Sequence, residues 1–213
     1  MVKSMVWSVR KSGLSLLTGC IGLAKPVAFI EDAAVRPAQL PDYVHGLQSI
    51  MRALGLMASY YGHAASGLLH VRPVLDIHSA ADLKKFRQVA DETSALVRQF
   101  KGSLSAEHGV GIARTEYMRD QLGDELLGVM RQIKRAFDPK NVFNPGKIFE
   151  AEIPLQREAV RPRIDNHLRE NFTRPVELPF QPVLAYAFKD RSFTGNLEQC
   201  NGCGGCLKQN DIM

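Results

Sequence analysis

Two sets of side chains in this sequence have the residue types and spacing of chemical sites. The first lies in Tyr61-Gly62-His63-Ala-Ala-Ser-Gly67-Leu-Leu-His70-Val71. A turn over residues 64–67 pairs His63 with Leu68 and Tyr61 with His70. The two histidines then share one face of a hairpin as diagonal neighbours, roughly 7 Å apart at the backbone and closer at the ring tips. Converging imidazoles begin a divalent metal site. Alone they fit equally a pair of hydrogen-bonded strand histidines. A third donor comes from Ser105-Ala-Glu107-His108-Gly-Val-Gly111, where Gly102, Gly109 and Gly111 permit close backbone approach. With Glu107 the set becomes His63, His70 and Glu107. Two imidazoles and a carboxylate with open positions suit a Lewis-acid cation that holds substrate oxygens. Zinc, manganese and iron all fit such donors. His108 is expected to face elsewhere, free to act as a general base. The plainer reading of the loop is a glycine turn with a helix-capping Glu107.

The second set is Cys200-Asn-Gly-Cys203-Gly-Gly-Cys206. Cysteines two residues apart, threaded with glycines, let a loop wrap an iron–sulfur cluster with its N–H groups turned toward the sulfides. A four-iron cluster takes four thiolates and this run supplies three. The usual next spacing falls on Asn210. Arg10 and Lys11 follow Trp7 on an otherwise apolar segment. A cation buried there needs an anion, either a substrate carboxylate or a structural partner.

These residues must be positioned by a chain of 213 residues, 45% of them hydrophobic, which is enough for one core and an appendage. The net charge of +5 is scattered, so no basic stripe points to nucleic acid. Three of the four cysteines crowd into one run, which suits a cluster rather than a disulfide framework and implies a cytoplasmic, reducing setting, free or peripheral at the inner membrane face. No apolar run has the length of a membrane span. Residues 14–20 mimic an export signal ending in Cys20, but the apolar stretch is short and broken by glycine, and a buried strand or loop is the expectation.

Residues 26–31 read as a strand. Leu40, Tyr43, Val44, Leu47, Ile50, Met51 and Leu54 recur at helical spacing, ended by Gly55. Two strands, 58–62 and 68–71, form the hairpin. Leu83, Phe86, Ala90, Leu96, Val97 and Phe100 mark a second helix, and Leu122, Leu126, Val129, Met130, Ile133 and Phe137 a third, stopped at Asp138-Pro139. The order predicts an α+β fold, an antiparallel sheet with helices packed on one face. Residues 151–199 hold five of the eleven prolines without a clean apolar period and read as an extended linker.

Tyr61-Gly-His-Ala with His70-Val71, Ser105-Ala-Glu-His-Gly-Val-Gly, and Arg135-Ala-Phe-Asp-Pro with Phe143-Asn-Pro-Gly-Lys147 resemble, in order, the C-terminal domain of FAD-linked oxidases. That family includes D-lactate dehydrogenase, the glycolate oxidase flavoprotein subunit and D-2-hydroxyglutarate dehydrogenase. Trp7–Arg10 and Phe29–Asp32 resemble its opening strands. The linker and cysteine run resemble the fused subgroup, in which a ferredoxin-type domain follows the flavin domain.

The resemblance implies a ferredoxin-like cap domain over residues 1–150, a linker over 151–195, and the start of a 4Fe-4S domain over 196–213. It implies His63, His70 and Glu107 as ligands of a divalent metal (Zn, Mn or Fe), His108 as the base beside the flavin, and Arg10 as the clamp on the substrate carboxylate. Asn144 and Lys147 fall where the chain returns toward the cofactor, and Cys200, Cys203 and Cys206 ligate the cluster. The implied reaction is oxidation of a D-2-hydroxy acid with hydride transfer to FAD, the electrons leaving through the cluster to an acceptor. A diacid substrate needs a second cation, for which Lys11, Arg36 and Arg72 are the candidates. The FAD-binding domain of such enzymes is expected to lie on a missing segment, the reading frame being cut at both ends, inactive alone and with an apolar face uncovered; the alternatives are a subunit that complements a separate FAD-binding polypeptide and a non-catalytic metal-binding interaction module.

Overall fold

The computed structural model describes residues 2–18, 22–149 and Ile164, with the side chains of 14–18 left aside. Apart from Ile164, which is buried in the core, the proposed linker lies outside the described residues, as do Cys200, Cys203 and Cys206.

The architecture is α+β, with a small antiparallel sheet built around one central strand. Strand β4 (Leu68–Leu75) pairs along most of its length with β3 (Ala58–His63). Its other edge takes two short strands in turn. β1 (Lys25–Pro26) lies opposite Leu75 and Val74, and β2 (Ala33–Ala34) opposite Leu69 and Leu68. The hairpin register matches the spacing argument: Tyr61 faces His70 and His63 faces Leu68. Gly67 closes the turn with φ of 71°, a left-handed conformation that favours glycine. A β-carbon there would also sit 1.8 Å from the Val35 carbonyl oxygen. That close approach lets Val35 N donate to the Gly67 carbonyl at 3.1 Å and ties the hairpin to the segment after β2.

Alternation along β4 divides its two faces. Leu69, Val71 and Leu75 enter the core with Tyr43, Leu47, Ile50 and Met51 of α2 (Leu40–Ala53) and Phe86, Val89, Ala90 and Val97 of α3 (Ala80–Gln99). Phe29 stacks on Phe86 with ring centroids 4.0 Å apart. Burying each large apolar side chain contributes about 1.5–3 kcal/mol, so the helix-covered face anchors the sheet. The other face carries His70 and Arg72, with Tyr61 and His63 beside them on β3.

The expected strand over 26–31 is a correction. Only Lys25 and Pro26 pair as a strand, and residues 29–32 turn out of the ladder. Val27 still donates to the Pro73 carbonyl at 2.8 Å, after which the chain delivers Phe29 and Ile30 to the core and Glu31 and Asp32 to His70 and the 105–108 loop. The segment around Trp7–Arg10 is not an opening strand either. It lies in helix α1 (Val2–Thr18), where Val2, Met5, Val6 and Val9 follow helical spacing. Nor is it buried: Trp7 is 55% exposed.

After α3 the chain runs back across β2. Ala34 and Ser103 exchange backbone hydrogen bonds of 2.8 and 2.9 Å. Short helix α4 (Gly111–Thr115) and α5 (Met118–Phe137), which is interrupted at Gly123 where φ is 78°, follow. The apolar stripe expected on α5 is present but largely uncovered among the described residues, with Leu126, Val129, Ile133 and Phe137 between 48% and 85% exposed. No described helix is long and apolar enough to cross a membrane.

Candidate functional site

Glu31 and Asp32 sit where the chain leaves the sheet, and each organises one half of a cluster. Asp32 is fully buried. Its carboxylate accepts the backbone N–H groups of Ala106 (3.0 Å), Glu107 (3.1 Å) and His108 (2.9 Å) and the Ser105 hydroxyl (3.0 Å). Its carbonyl oxygen accepts Ala106 N as well, at 2.9 Å. Burial pushes the Asp32 carboxyl up, but these donors, His108 N–H foremost, and the nearby Arg114 charge outweigh it and hold the group below its ordinary value. One carboxylate therefore fixes the loop that carries Glu107 and His108.

The loop brings Glu107 against the hairpin. Its Oε1 lies 3.3 Å from His63 Nε2 and 3.5 Å from His70 Nε2. All three donor atoms fall within 4.8 Å of one another. A tetrahedral cation with bonds of about 2.0–2.2 Å needs neighbouring donors roughly 3.3 Å apart, and the two Glu107–histidine separations are of that size. His70 is further prepared. Its Nδ1 lies 2.7 Å from the Glu31 carbonyl oxygen, which can only accept, so Nδ1 carries the hydrogen and Nε2 faces Glu107 with its lone pair. His70 is buried, whereas His63 and Glu107 are 49% and 42% exposed at the side chain. The cluster is thus rooted in the sheet and open to one side.

His108 does not face elsewhere, as its adjacency to Glu107 had suggested. Strand alternation does not apply in a loop curled by left-handed Gly109 and Gly111. The His108 ring stacks on His70 with centroids 5.1 Å apart and planes 13° from parallel, and its Nδ1 lies 2.8 Å from Glu31 Oε1.

Arg10 is exposed rather than buried, and its guanidinium carbon lies 5.3 Å from the centre of the Tyr61 ring. Tyr61 in turn packs 4.8 Å from His70. Arg72 approaches the same tyrosine at 5.9 Å and Glu31 Oε2 at 3.8 Å, distances at which cation–π and ionic attraction operate. Of the three candidate second cations, Arg72 stands at the cluster, with its guanidinium 3.8 Å from Glu31 Oε2; Lys11 is exposed on α1, and Arg36 is exposed just before α2. Asn144 and Lys147 are not gathered there. They line a separate cleft of about 320 Å³ with Arg131, Lys134, Arg135 and Asp138.

Sequence reasoning did not give Glu31 or Asp32 a role at the cluster, and it passed over Arg114. The available signal was a pair of acids at the end of the apolar run Val27–Ile30, since acids that follow a core strand inward need donors.

The sequence pattern of the family described as FAD linked oxidases, C-terminal domain, matches residues 2–148. A D-2-hydroxyglutarate dehydrogenase of Pseudomonas putida is 38% identical over 211 residues, covering 98% of this chain and 20% of the relative. One from Escherichia coli is 34% identical over 202 residues, 95% of this chain and 18% of that protein. A glycolate oxidase subunit of Bacillus subtilis is 31% identical over 140 residues, 66% of this chain and 29% of the subunit. The chain belongs to the FAD-linked oxidase family and spans about a fifth of the length of the D-2-hydroxyglutarate dehydrogenases it matches.

Proposed function

We propose that this member of the FAD-linked oxidases forms the substrate side of a D-2-hydroxy acid dehydrogenase, with 2-hydroxyglutarate the favoured substrate over lactate or glycolate. The observation that carries the reading is the convergence of His63 Nε2, His70 Nε2 and Glu107 Oε1 at cation-sized separations. These three residues would hold a divalent metal, which when bound supplies Lewis-acid stabilisation to an alcohol losing its proton. A flavin, held mainly by an FAD-binding domain or polypeptide, supplies the hydride acceptor.

The chain's own residues do the rest. His108, stacked beside His70, takes the hydroxyl proton. Arg10, resting on Tyr61, clamps the carboxylate next to the reacting carbon, and a bidentate guanidinium–carboxylate pair would fix the substrate's orientation. Arg72 offers the cation for a second carboxylate, and the names of the D-2-hydroxyglutarate dehydrogenase relatives favour such a diacid. Asn144 and Lys147, in their basic cleft, are proposed to meet the cofactor. In this reading residues 1–150 form the cap, 151–195 a linker, and 196–213 bring Cys200, Cys203 and Cys206 as thiolates for a 4Fe-4S cluster completed by a fourth ligand.

The test has two stages. Calorimetric titration of the chain with Mn²⁺, which thiolates hold poorly, should give one site, abolished in His70→Ala and strongly weakened in Glu107→Gln, whereas Zn²⁺ should fill that site and a second one on Cys200, Cys203 and Cys206 that these variants spare. Mixing with a family FAD domain and adding D-2-hydroxyglutarate should bleach the flavin, and D-lactate should do so less well. Absence of a metal site that depends on these residues refutes the reading.

A further inference from the structure

Glu31 makes contacts that neither the metal triad nor the proposed base accounts for. Its side chain is 8% exposed and lies between two imidazoles, with its hydrogen bond going to His108. Oε1 lies 2.8 Å from His108 Nδ1, and Oε2 lies 3.2 Å from His70 Nδ1. Arg114 Nη2 stands 3.6 Å from Oε1, and Arg72 Nη2 3.8 Å from Oε2. The residue's own carbonyl takes the shorter His70 contact, at 2.7 Å. Both histidines thus turn the same ring nitrogen toward one residue.

From this we infer that Glu31 is a positioning residue that sets the tautomer of His108, holding its hydrogen on Nδ1 so that Nε2 is the nitrogen presented to a substrate hydroxyl. A neutral imidazole carries one hydrogen, and whichever nitrogen faces a carboxylate keeps it. A hydrogen bond to a carboxylate is strong enough to bias the two tautomers by about tenfold or more. The near-parallel stack of His108 on His70 then fixes the ring plane as well as the proton. Glu31 could instead be read as a third ligand beside His70 and His108, since the donor atoms of those three residues also lie close together. The hydrogen on His70 Nδ1 argues against it. That nitrogen already donates to the Glu31 carbonyl, so it offers no lone pair on the side where Glu31 sits.

The inference rests on the proposed role of His108 and is tested apart from it. The full chain, labelled with ¹⁵N-histidine, is examined by long-range nitrogen–proton correlation at about pH 8, above the ordinary histidine range, with and without Zn²⁺. The expected result is His108 with a protonated Nδ1 and a bare Nε2. In Glu31→Ala the balance should swing toward Nε2–H by about tenfold or more. Glu31→Gln keeps an acceptor oxygen and should hold the wild-type tautomer. If Glu31→Ala does not fold, the wild-type spectrum and Glu31→Gln decide. Zn²⁺ affinity should fall no more than about tenfold in Glu31→Gln, well short of the loss in Glu107→Gln. The inference is overturned if wild-type His108 carries its hydrogen on Nε2, if Glu31→Ala leaves the tautomer unchanged, or if Glu31→Gln loses metal as severely as Glu107→Gln. A chain whose Zn²⁺ binding is untouched by His70→Ala, and which still shows the Nδ1–H tautomer, refutes the metal site and leaves the role of Glu31 standing.

Discussion

Asp32→Asn is the sharpest perturbation of the cluster, because it changes charge and almost no volume. The carboxylate accepts three backbone N–H groups and one hydroxyl at 2.9–3.1 Å. Bonds to a charged acceptor are each worth about 1 kcal/mol more than neutral ones. Four bonds weakened by that amount give an upper figure of roughly 4 kcal/mol. The donors lie on a partly exposed loop, where water recovers part of the loss, so about 2–3 kcal/mol is the expected destabilisation. The new side-chain amide would also turn one of its own hydrogens toward a backbone N–H, which supports the upper end of that span. Because Glu107 rides on this loop, the same loosening should lower Zn²⁺ affinity by about ten- to a hundredfold, the range seen when groups that orient ligands are removed. The assay pairs chemical denaturation of the metal-free chain with competition titration of Zn²⁺. If Asp32→Asn unfolds at the wild-type denaturant concentration, the clamp is not what holds the loop. If stability falls but Zn²⁺ affinity does not, Glu107 is positioned by something other than Asp32.

Acid should act on the same clamp. The folded state holds the Asp32 carboxyl below its ordinary value, so its stabilisation is present above about pH 4, the unfolded value, and is lost as pH falls through the lower folded value. Thermal melts of wild type and Asp32→Asn should therefore converge below about pH 4, and parallel curves would refute the linkage. Gly67→Ala should cost at least about 3 kcal/mol, since the left-handed backbone and the Val35 carbonyl both reject a β-carbon; a variant as stable as wild type would show that the hairpin does not dock there. Arg72→Met should weaken binding of glutarate to the Zn²⁺-loaded chain by about tenfold while sparing acetate, as expected for loss of one charged hydrogen-bond partner. An equal loss for both acids would assign Arg72 to structure instead.

The hairpin was legible because its information is local. A four-residue turn fixes the register, the register fixes which side chains share a face, and His63 and His70 follow. The helices over 40–53 and 80–99 were legible for the same reason, each being a periodic stripe that meets one sheet face. The opening segment misled because its motif resembles a strand of the family, while the spacing of Val2, Met5, Val6 and Val9 is helical. The acidic pair was invisible to periodicity. Asp32 is separated from its donors by 73 to 76 residues, and no local pattern announces a bond across that distance.

The break in the sheet at residues 29–32 is where fold and site meet. A continuous strand there would pair along β4 and gain ladder hydrogen bonds, but strand alternation would send Glu31 and Asp32 to opposite faces. One acid would then enter the apolar core without donors, at a cost of several kcal/mol. Turning out of the ladder lets Phe29 and Ile30 reach the core while both acids leave it together. The backbone groups freed by the break are used at the site: the Glu31 carbonyl holds His70 Nδ1 and the Asp32 carbonyl holds Ala106 N. The irregular segment thus exchanges strand pairing for contacts to the hairpin and to the glycine loop, the two elements that carry His63, His70 and Glu107. A substitution that restored regular pairing over 29–32 should stabilise the sheet locally and still scatter His63, His70 and Glu107.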